Sequence, residues 1–300
     1  MKIKELLRWG NQELKKEKEI ESPLKEAEIL LIKVLQKESK FKKRIQKYPE
    51  IIFYQDEKVN SPVIFNYQNL IARRKKLEPI AYLTGEKEFY GLNFKVNKNV
   101  LIPRPETELL VEEALKIIKN ESYQTKKIYK IADIGTGSGC IAISLAKKLK
   151  KENLNFKILA TDISPQAISI ASFNAHKHQA DNLIEFYQGD LFASIKEKID
   201  LILANLPYVS QKEIKNLSAT IKNYEPRIAL NGGKDGLEIY HRLIKKVSFY
   251  IKPQKSKLIL EIGPHQKEKI LRLINKYLPS VKIKVIKDYA NLNRLLIIYF

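Results

Sequence analysis

The sequence has few of the residues that build disulfide frameworks and zinc sites. One cysteine, Cys140, and four histidines occur among 300 residues, which excludes an internal disulfide and leaves no recognisable zinc-binding spacing. A run of about 18 apolar residues is also absent, and the first residues mix both charge signs where a signal peptide would carry an apolar core. These absences predict a soluble, cytoplasmic protein that uses no membrane and no metal.

Acidic residues are scarce relative to basic ones, and the formal net charge is +21. Clustered cations bind nucleic acid by releasing counterions from phosphate, so proximity to a ribosome or RNA is one interpretation of this charge. Codon bias towards A and T is the other, because 46 lysines accompany nine arginines, and arginine is the better reader of phosphate and guanine. The charge alone therefore identifies no nucleic-acid enzyme.

The length exceeds one typical domain, which predicts a catalytic unit with a smaller appended unit. Residues 1–85 carry apolar side chains at three- and four-residue spacing, as helices do. Ser22 before Pro23 is typical of a helix start. Residues 48–66 are poorly periodic and are interpreted as a long connection, with another helix near 67–76. We predict a small helical domain over residues 1–85.

The pattern changes after the helical domain. Residues 88–102 are typical of two short strands around a turn at 97–99. This hairpin, within residues 86–105, is interpreted as the linker to a catalytic domain over residues 106–300.

The catalytic domain alternates β-branched apolar segments with helix-like stretches. This alternation predicts an α/β fold with a seven-stranded, mostly parallel sheet that helices cover on both faces. Ligands bind such sheets beyond the carboxyl ends of the strands, where the strand order reverses. The predicted strands are residues 128–134, 156–163, 183–187, 199–204, 257–262, 281–286 and 294–300.

A glycine-rich turn closes the first predicted strand of this sheet. Glycines there let the backbone adopt positive φ and pass close to a ligand. A dinucleotide fingerprint would require glycine at Cys140, whereas this chain has it at Gly139, so the spacing favours S-adenosylmethionine over NAD. The turn and its preceding residues are Asp133, Ile134, Gly135, Thr136, Gly137, Ser138 and Gly139.

Two acidic residues follow the next strands. Asp162 is placed to accept hydrogen bonds from a ribose diol, and Asp190 to accept from an adenine amino group, with Leu191 as an apolar contact for the ring. Structural alternatives remain for all three, since Asp162 suits a helix N-cap ahead of Ser164, Asp190 a turn, and Leu191 the core.

The fourth strand is followed by Asn205, Leu206, Pro207 and Tyr208. The lone pair of an amide or aromatic amine is delocalised, so such a nitrogen is a poor nucleophile and must be held in line with the methyl donor. The Asn205 side-chain oxygen and the Leu206 carbonyl are candidate acceptors for its NH2 group, and Tyr208 offers a flat face. An asparagine-initiated turn ended by proline is the structural alternative.

These motifs resemble the peptide-chain release factor glutamine N5-methyltransferase family over nearly the whole chain. The most specific run is Ile102-Pro103-Arg104-Pro105-Glu106-Thr107-Glu108, accompanied by the stretches at 78–85, 88–91, 133–139 and 225–237. The resemblance implies a class I methyltransferase sheet and S-adenosylmethionine as donor. It also implies that the glutamine of the Gly-Gly-Gln tripeptide in class I release factors is the acceptor.

The resemblance also implies residue roles. The helical domain would recognise the release factor, and a monomer is expected. Arg104 and Glu106 would lie near the substrate, although a hinge salt bridge and a helix cap are the alternatives. The implied cofactor contacts are Asp133, Ile134, Gly135, Thr136, Gly137, Asp162, Asp190, Leu191 and Asn205, and the implied glutamine contacts and catalytic residues are Asn205, Leu206, Pro207 and Tyr208.

Two positions depart from the family pattern. Leu206 replaces a usual proline, which keeps the backbone carbonyl but loses the fixed φ. Leu191 stands where an aromatic residue is frequent, so adenine packing is expected to be weaker.

Other functions stay open at this point. Asn-Leu-Pro-Tyr also resembles ribosomal RNA adenine dimethyltransferases, but those enzymes begin near the catalytic sheet, whereas about 85 helical residues come first here. A ribosomal-protein glutamine methyltransferase would share fold and chemistry. A non-enzymatic ribosome-binding protein that keeps the fold is the third alternative.

Overall fold

A computed structural model describes residues 1–41, 50–122 and 128–300. Contacts along the chain divide it into two compact units. Unit 1 contains residues 1–86 and 218–224, and unit 2 contains residues 87–217 and 225–300. The segment 218–224 thus groups with the helical residues, although the sequence assigned it to the catalytic domain. Within the described ranges, no helix combines the length and apolarity needed to cross a membrane.

Unit 1 is helical. Its core is formed largely by leucines and by the buried Tyr67, whose hydroxyl donates a 3.1 Å hydrogen bond to the Ala27 carbonyl. Segment 218–224 belongs here because the Tyr224 hydroxyl donates to the Lys76 carbonyl at 2.7 Å. The helices are α1 Ile3–Leu14, α2 Pro23–Leu35, α3 Ser61–Lys75, α4 Ile80–Thr84 and α9 Ala219–Tyr224.

The predicted connection over residues 48–66 is partly wrong. Residues 48 and 49 lie outside the described ranges, but a 3-10 helix follows at Glu50–Tyr54 and α3 begins at Ser61. The Asn60 side chain caps α3 by accepting from the Val63 N–H at 3.0 Å. Proline next to that cap is tolerated, because the first turn of a helix has no backbone acceptor for its N–H groups. Pro62 therefore marks a helix start here.

The hairpin is present, but its turn was predicted in the wrong place. Strands β1 Glu86–Phe89 and β2 Leu92–Lys95 form a two-stranded sheet. The turn consists of Tyr90 and Gly91, which both have positive φ, at 53° and 76°. Two such residues make the hairpin turn that matches strand twist. Residues 97–102 contain no strand and run along the pocket described below.

Unit 2 contains the seven-stranded sheet that the sequence predicted. Its strand order is β5-β4-β3-β6-β7-β9-β8, with parallel pairing throughout except that β9 is antiparallel to β7 and β8. Every predicted strand lies within two residues of an observed one. The strands are β3 Tyr129–Ile134, β4 Phe156–Asp162, β5 Ile184–Gln188, β6 Leu201–Ala204, β7 Lys257–Glu261, β8 Lys282–Lys287 and β9 Asn293–Tyr299.

The sheet creates a crevice at its switch point. The chain proceeds from β3 outward to β5 and then crosses to β6 on the other side of β3, so the carboxyl ends of β3 and β6 border a cleft. Separate apolar clusters cover the two faces, one including α5 and α6 and the other α11 and α12. The helices of unit 2 are α5 Glu108–Ser122, α6 Cys140–Lys151, α7 Pro165–Lys177, α8 Gln211–Ile214, α10 Arg227–Leu230, α11 Glu238–Val247 and α12 Lys267–Tyr277.

Candidate active site

One pocket of unit 2 lies at this crevice. The space between its lining residues and its open mouth is about 1070 Å³, which includes open solvent. Among the described residues, three of the predicted cofactor and substrate contacts do not line it: Asp133, Tyr208 and Glu106. Those that do are Arg104, Ile134, Gly135, Thr136, Gly137, Asp162, Asp190, Leu191, Asn205, Leu206 and Pro207.

The glycine turn connects β3 to α6. The three glycines of the turn have φ values of 76°, 56° and 81° in chain order, in the left-handed region. The last of them, Gly139, also has no room for a side chain, because a Cβ there would lie 2.9 Å from Ile143 Cδ1 and 3.2 Å from Ala171 Cβ. The turn therefore needs glycine both for its conformation and for the packing of α6 against α7.

Asp133 lies beneath this turn. It is fully buried, and its Oδ2 accepts a 2.7 Å hydrogen bond from the Thr136 hydroxyl. Burial raises the pKa of its carboxyl to about 7, partly offset by the hydrogen bond from Thr136. Its Oδ1 has no hydrogen-bond partner within the part of the chain that the structure describes. Asp133 thus supports the turn from a buried position and does not line the pocket.

Burial of Asp133 should make stability depend on pH. The carboxyl of the unfolded chain titrates near its ordinary 3.8, and that of the folded chain near 7. Between these values the folded state binds more protons, so the unfolding free energy should fall as pH rises from about 4 to about 7. Asp133→Asn should flatten this slope in urea titrations at stepped pH.

The exposed Asp56, whose pKa is lowered chiefly by its hydrogen bond with Lys4, supplies a control variant, Asp56→Asn. An equal slope in wild type and Asp133→Asn would contradict this account.

Asp162 lines the pocket and fixes the glycine turn. Its Oδ2 accepts from the Gly137 N–H and its Oδ1 from the Ser164 N–H, both at 2.9 Å. Burial raises the pKa of its carboxyl. Ser164, rather than Asp162, caps α7, since its Oγ accepts from the Ala167 N–H. Each oxygen of Asp162 keeps a lone pair that can accept from a ligand hydroxyl.

The segment after β5 carries Asp190 and Leu191. Asp190 forms an ion pair with Arg242 of α11, and both side chains are about one third exposed. Leu191 is buried with φ of 54°, a left-handed conformation that costs a non-glycine residue about 1–2 kcal/mol. The Thr161 hydroxyl holds the Leu191 carbonyl at 2.9 Å. In this strained conformation the apolar side chain of Leu191 lines the pocket.

Asn205 follows β6 directly. Its Nδ2 donates a 3.0 Å hydrogen bond to the hydroxyl oxygen of Thr107, so its side-chain oxygen is the end available to the pocket. The next residue, Leu206, is buried, and its Cδ2 would lie 3.0 Å from a Cβ at Gly135. The Tyr240 hydroxyl lies 3.3 Å from the Leu206 carbonyl oxygen and 2.5 Å from the Glu261 carbonyl oxygen. Its single hydrogen favours the shorter contact, so the Leu206 carbonyl keeps its lone pairs for a ligand.

A glycine-containing loop over residues 231–237 supports Tyr208, two residues after Leu206. Gly236 has φ of 78°, and a Cβ there would lie 2.3 Å from the Tyr208 carbonyl oxygen. Gln266 Nε2 donates to the same carbonyl at 2.8 Å. Burial raises the pKa of the Tyr208 hydroxyl. The backbone of this residue is therefore tightly enclosed, and its flat-face role stays a prediction.

The structure places Arg104 at the pocket but not Glu106. Arg104 lines the pocket and forms an ion pair with Glu225 at 2.5 Å. The Glu225 side chain is 1% exposed, and its second oxygen accepts from the Ile102 N–H at 3.2 Å. Glu106 is exposed and does not line the pocket formed by the described residues. The buried glutamate thus anchors the segment that carries Arg104.

Thr107 and Arg242 are among the pocket residues for which the sequence predicted no role. Thr107 stands inside the specific run from Ile102 to Glu108, so the motif was a signal for it. Arg242 had no comparable signal, because an arginine on α11 looks like any exposed helical cation until the fold brings it to Asp190.

The glycine turn, the acid after β4 and the asparagine after β6 on this sheet define the class of Rossmann-like methyltransferases. The family model "Methyltransferase small domain" matches residues 107–233, and "PrmC N-terminal domain" matches residues 5–85. The release factor glutamine methyltransferase of Dictyoglomus turgidum is 38% identical, over 98% of this chain and 97% of its own. The chain belongs to the release factor glutamine methyltransferase family.

Two further relatives complete the comparison. The bifunctional methyltransferase of Rickettsia typhi is 37% identical over 92% of this chain, but the chain spans only 53% of that protein. Among solved structures, the hMettl16 catalytic domain in complex with MAT2A 3'UTR hairpin 6 has a TM-score of 0.53 at 16% identity. It covers 89% of this chain and 90% of its own. At this level of identity, the similarity to the solved structure shows a shared fold only.

Proposed function

We propose that the chain transfers a methyl group from S-adenosylmethionine to the side-chain amide nitrogen, N5, of the glutamine in the Gly-Gly-Gln motif of peptide chain release factors. The observation that carries the proposal is the orientation of Asn205. Its amide NH2 is engaged by Thr107, which leaves the side-chain oxygen as an acceptor at the pocket. An acceptor is what a glutamine NH2 group requires. Membership of the family, with a relative matched over 97% of its length, supports the same substrate.

The residues present fit S-adenosylmethionine. The glycine turn allows close approach of a ligand to the backbone, and Asp162 offers carboxylate lone pairs for a ribose diol. The apolar side chain of Leu191 and the carboxylate of Asp190 suit an adenine ring and its amino group, with Arg242 orienting the carboxylate. Asp133 would act indirectly, by keeping the turn in shape.

The chemistry is a methyl transfer without acid or base catalysis by a titrating side chain. When bound, S-adenosylmethionine supplies a sulfonium methyl group, whose carbon–sulfur bond breaks as the carbon–nitrogen bond forms and an amide proton leaves to water. Asn205 Oδ1 and the Leu206 carbonyl oxygen accept from the substrate NH2 and hold its nitrogen in line. The enclosed backbone of Tyr208 restricts the end of the motif that carries these two acceptors. Positioning therefore supplies most of the rate enhancement.

Unit 1 is proposed to recognise the release factor. Exposed aromatic side chains are costly to leave in water and favour protein contacts, and in unit 1 Phe53 is 82% and Phe65 64% exposed. Replacing both by serine should raise KM for intact release factor by at least about tenfold with little change in kcat. The control is Phe249→Ser in unit 2, at a side chain 72% exposed. An unchanged KM in the double variant would exclude these side chains from recognition.

The test of function is a comparison of substrates. Purified protein is incubated with labelled S-adenosylmethionine and, separately, with a class I release factor, ribosomal proteins and ribosomal RNA, and the labelled product is mapped by mass. We expect one methyl on the Gly-Gly-Gln glutamine. Label on a ribosomal-protein glutamine would move the substrate within the same chemistry. Label on ribosomal RNA adenine alone would overturn the proposal. Leu206, which gives the motif its resemblance to RNA adenine dimethyltransferases, would then be the better guide to function. We also propose that the release factor methyltransferase acts in the cytoplasm as a monomer.

A further inference from the structure

One buried asparagine of unit 2 joins two segments that are distant in the chain. Asn174 lies on α7 and is fully buried. Its Oδ1 accepts from the Lys95 N–H at 2.7 Å, and its Nδ2 donates to the Lys95 carbonyl at 3.0 Å and to the Ser138 carbonyl at 2.9 Å. Both amide hydrogens are therefore used, and three hydrogen bonds define the orientation of the side chain.

Both joined segments lead to the pocket. Ser138 belongs to the glycine turn and lines the pocket itself. Lys95 ends β2, and the chain that follows it, segment 96–104, contains no helix or strand. Asn174 and Lys95 do not line the pocket formed by the described residues. The pocket residues of segment 96–104 are Asn99, Val100, Leu101, Pro103 and Arg104.

The glycine turn depends on side chains that hold its peptide groups. Asp162 accepts from the Gly137 N–H, and Asn174 donates to the carbonyl of the next residue, Ser138. Glycine restricts the backbone little, because a residue without Cβ populates many conformations. Contacts from α7 and from the end of β4 therefore decide whether the turn already has its shape when a ligand arrives.

Segment 96–104 is held at both ends. At its start, Asn174 pairs with both the N–H and the carbonyl of Lys95, as a neighbouring strand would. At its end, Glu225 accepts from the Ile102 N–H at 3.2 Å and forms an ion pair with Arg104. Asn174 differs from Glu225 in that it holds the glycine turn as well. One side chain thus links two separate parts of the pocket lining.

We infer that Asn174 is a positioning residue for the cofactor, which joins the glycine turn to segment 96–104 and so fixes the pocket before S-adenosylmethionine binds. The inference rests on the part of the proposed function that assigns this cofactor to the pocket. Without Asn174 the ligand must order two loose segments as it binds, and the entropy cost lowers affinity. The acceptors at Asn205 and Leu206 belong to another strand end, so the chemical step should keep its rate once the cofactor is bound.

Calorimetry with the demethylated product, S-adenosylhomocysteine, is the first test. Asn174→Leu keeps the branched shape of the side chain and removes all three hydrogen bonds. We expect its Kd to be at least about tenfold higher than that of wild type, with kcat at saturating cofactor and release factor within about threefold. Asn174→Asp can still accept from the Lys95 N–H but loses at least one of the two donors, so its Kd should rise as well.

The control is a buried hydroxyl at the amino end of β7. Ser256 accepts from the Lys252 N–H at 2.7 Å and donates to the Ile199 carbonyl, away from the pocket. Ser256→Ala should lower stability to urea while its Kd for S-adenosylhomocysteine stays within about twofold of wild type. A purely structural role for Asn174 predicts the same behaviour for Asn174→Leu.

Hydrogen exchange of the wild-type protein gives a second test, which decides the matter if the Asn174 variants fail to fold. Coupling between two sites is reciprocal, so a linkage that strengthens cofactor binding must itself be strengthened by the cofactor. Exchange of the Lys95 N–H, followed by NMR, should slow at least about fivefold at saturating S-adenosylhomocysteine, although Lys95 does not line the pocket. Exchange that the ligand leaves unchanged would overturn the inference.

The outcomes distinguish this inference from the proposed function. Wild type that binds S-adenosylhomocysteine but methylates no release factor would refute the function, and the affinities of the Asn174 variants would still decide the inference. Active wild type together with a normal Kd in Asn174→Leu and Asn174→Asp would refute the inference alone. Absence of any binding of S-adenosylhomocysteine to the wild type would refute both.

Discussion

Replacing Asn205 by alanine should lower turnover of intact release factor at least about a hundredfold, while the affinity for S-adenosylmethionine changes little. The substitution removes the oxygen that the structure leaves available at the pocket. It leaves the backbone of the motif supported by the glycine loop and by Gln266. Single-turnover methylation and calorimetry with the cofactor measure the two effects separately.

The aspartate variant at the same position refines this test. Asn205→Asp keeps an oxygen acceptor but cannot donate to Thr107, so it should retain more activity than alanine and less than wild type. Near-normal turnover in Asn205→Ala would mean that the glutamine nitrogen is held elsewhere, and the proposed mechanism would be abandoned.

Asp162→Ala should weaken binding of S-adenosylmethionine at least about tenfold, as expected for loss of a hydrogen bond to a charged group. The same change frees the Gly137 and Ser164 N–H groups, so the glycine turn loses a support as well as a ligand contact. Calorimetry with both S-adenosylmethionine and its demethylated product gives the affinity. Thermal unfolding of the variant shows how much of the loss comes from the turn.

The control for Asp162 is an acid at the edge of the same sheet. Asp181 precedes β5 and pairs with His176 at an exposed position, so Asp181→Ala should bind the cofactor normally. Unchanged affinity in Asp162→Ala would remove this residue from the proposed site. It would leave Asp190 as the acidic residue to examine, since its pairing with Arg242 keeps a carboxylate at the pocket.

The structure gives a physical account of the leucine that departs from the family pattern. Proline would fix φ at this position, whereas Leu206 is held by contact, with its side chain buried against Gly135. The Tyr240 hydroxyl lies 3.3 Å from its carbonyl oxygen, and Gln266 donates to the Tyr208 carbonyl two residues later. A proline ring would restrict the backbone at this position by itself. Here contacts from three other segments of the chain restrict it.

Local sequence patterns determined most of the fold of unit 2. Alternating apolar segments located all seven strands within two residues, and glycine spacing located the turn after β3. Periodicity and turn chemistry depend on residues that are near each other in the chain, so both can be predicted from the sequence without a structure. The same local evidence failed at the Tyr90–Gly91 turn, where a tyrosine at positive φ is not a common hairpin residue.

The sequence by itself determined the class of sheet, the family motifs and the residues that follow each strand. Only the tertiary structure decided that Asp133 lies beneath the turn, that Arg242 pairs with Asp190 across 52 positions, and that Thr107 meets Asn205 across 98. The last two contacts join segments whose approach is set by packing of the whole sheet and its helices. No local pattern encodes the direction in which a buried hydroxyl or amide must point, because that direction depends on partners that folding alone brings together.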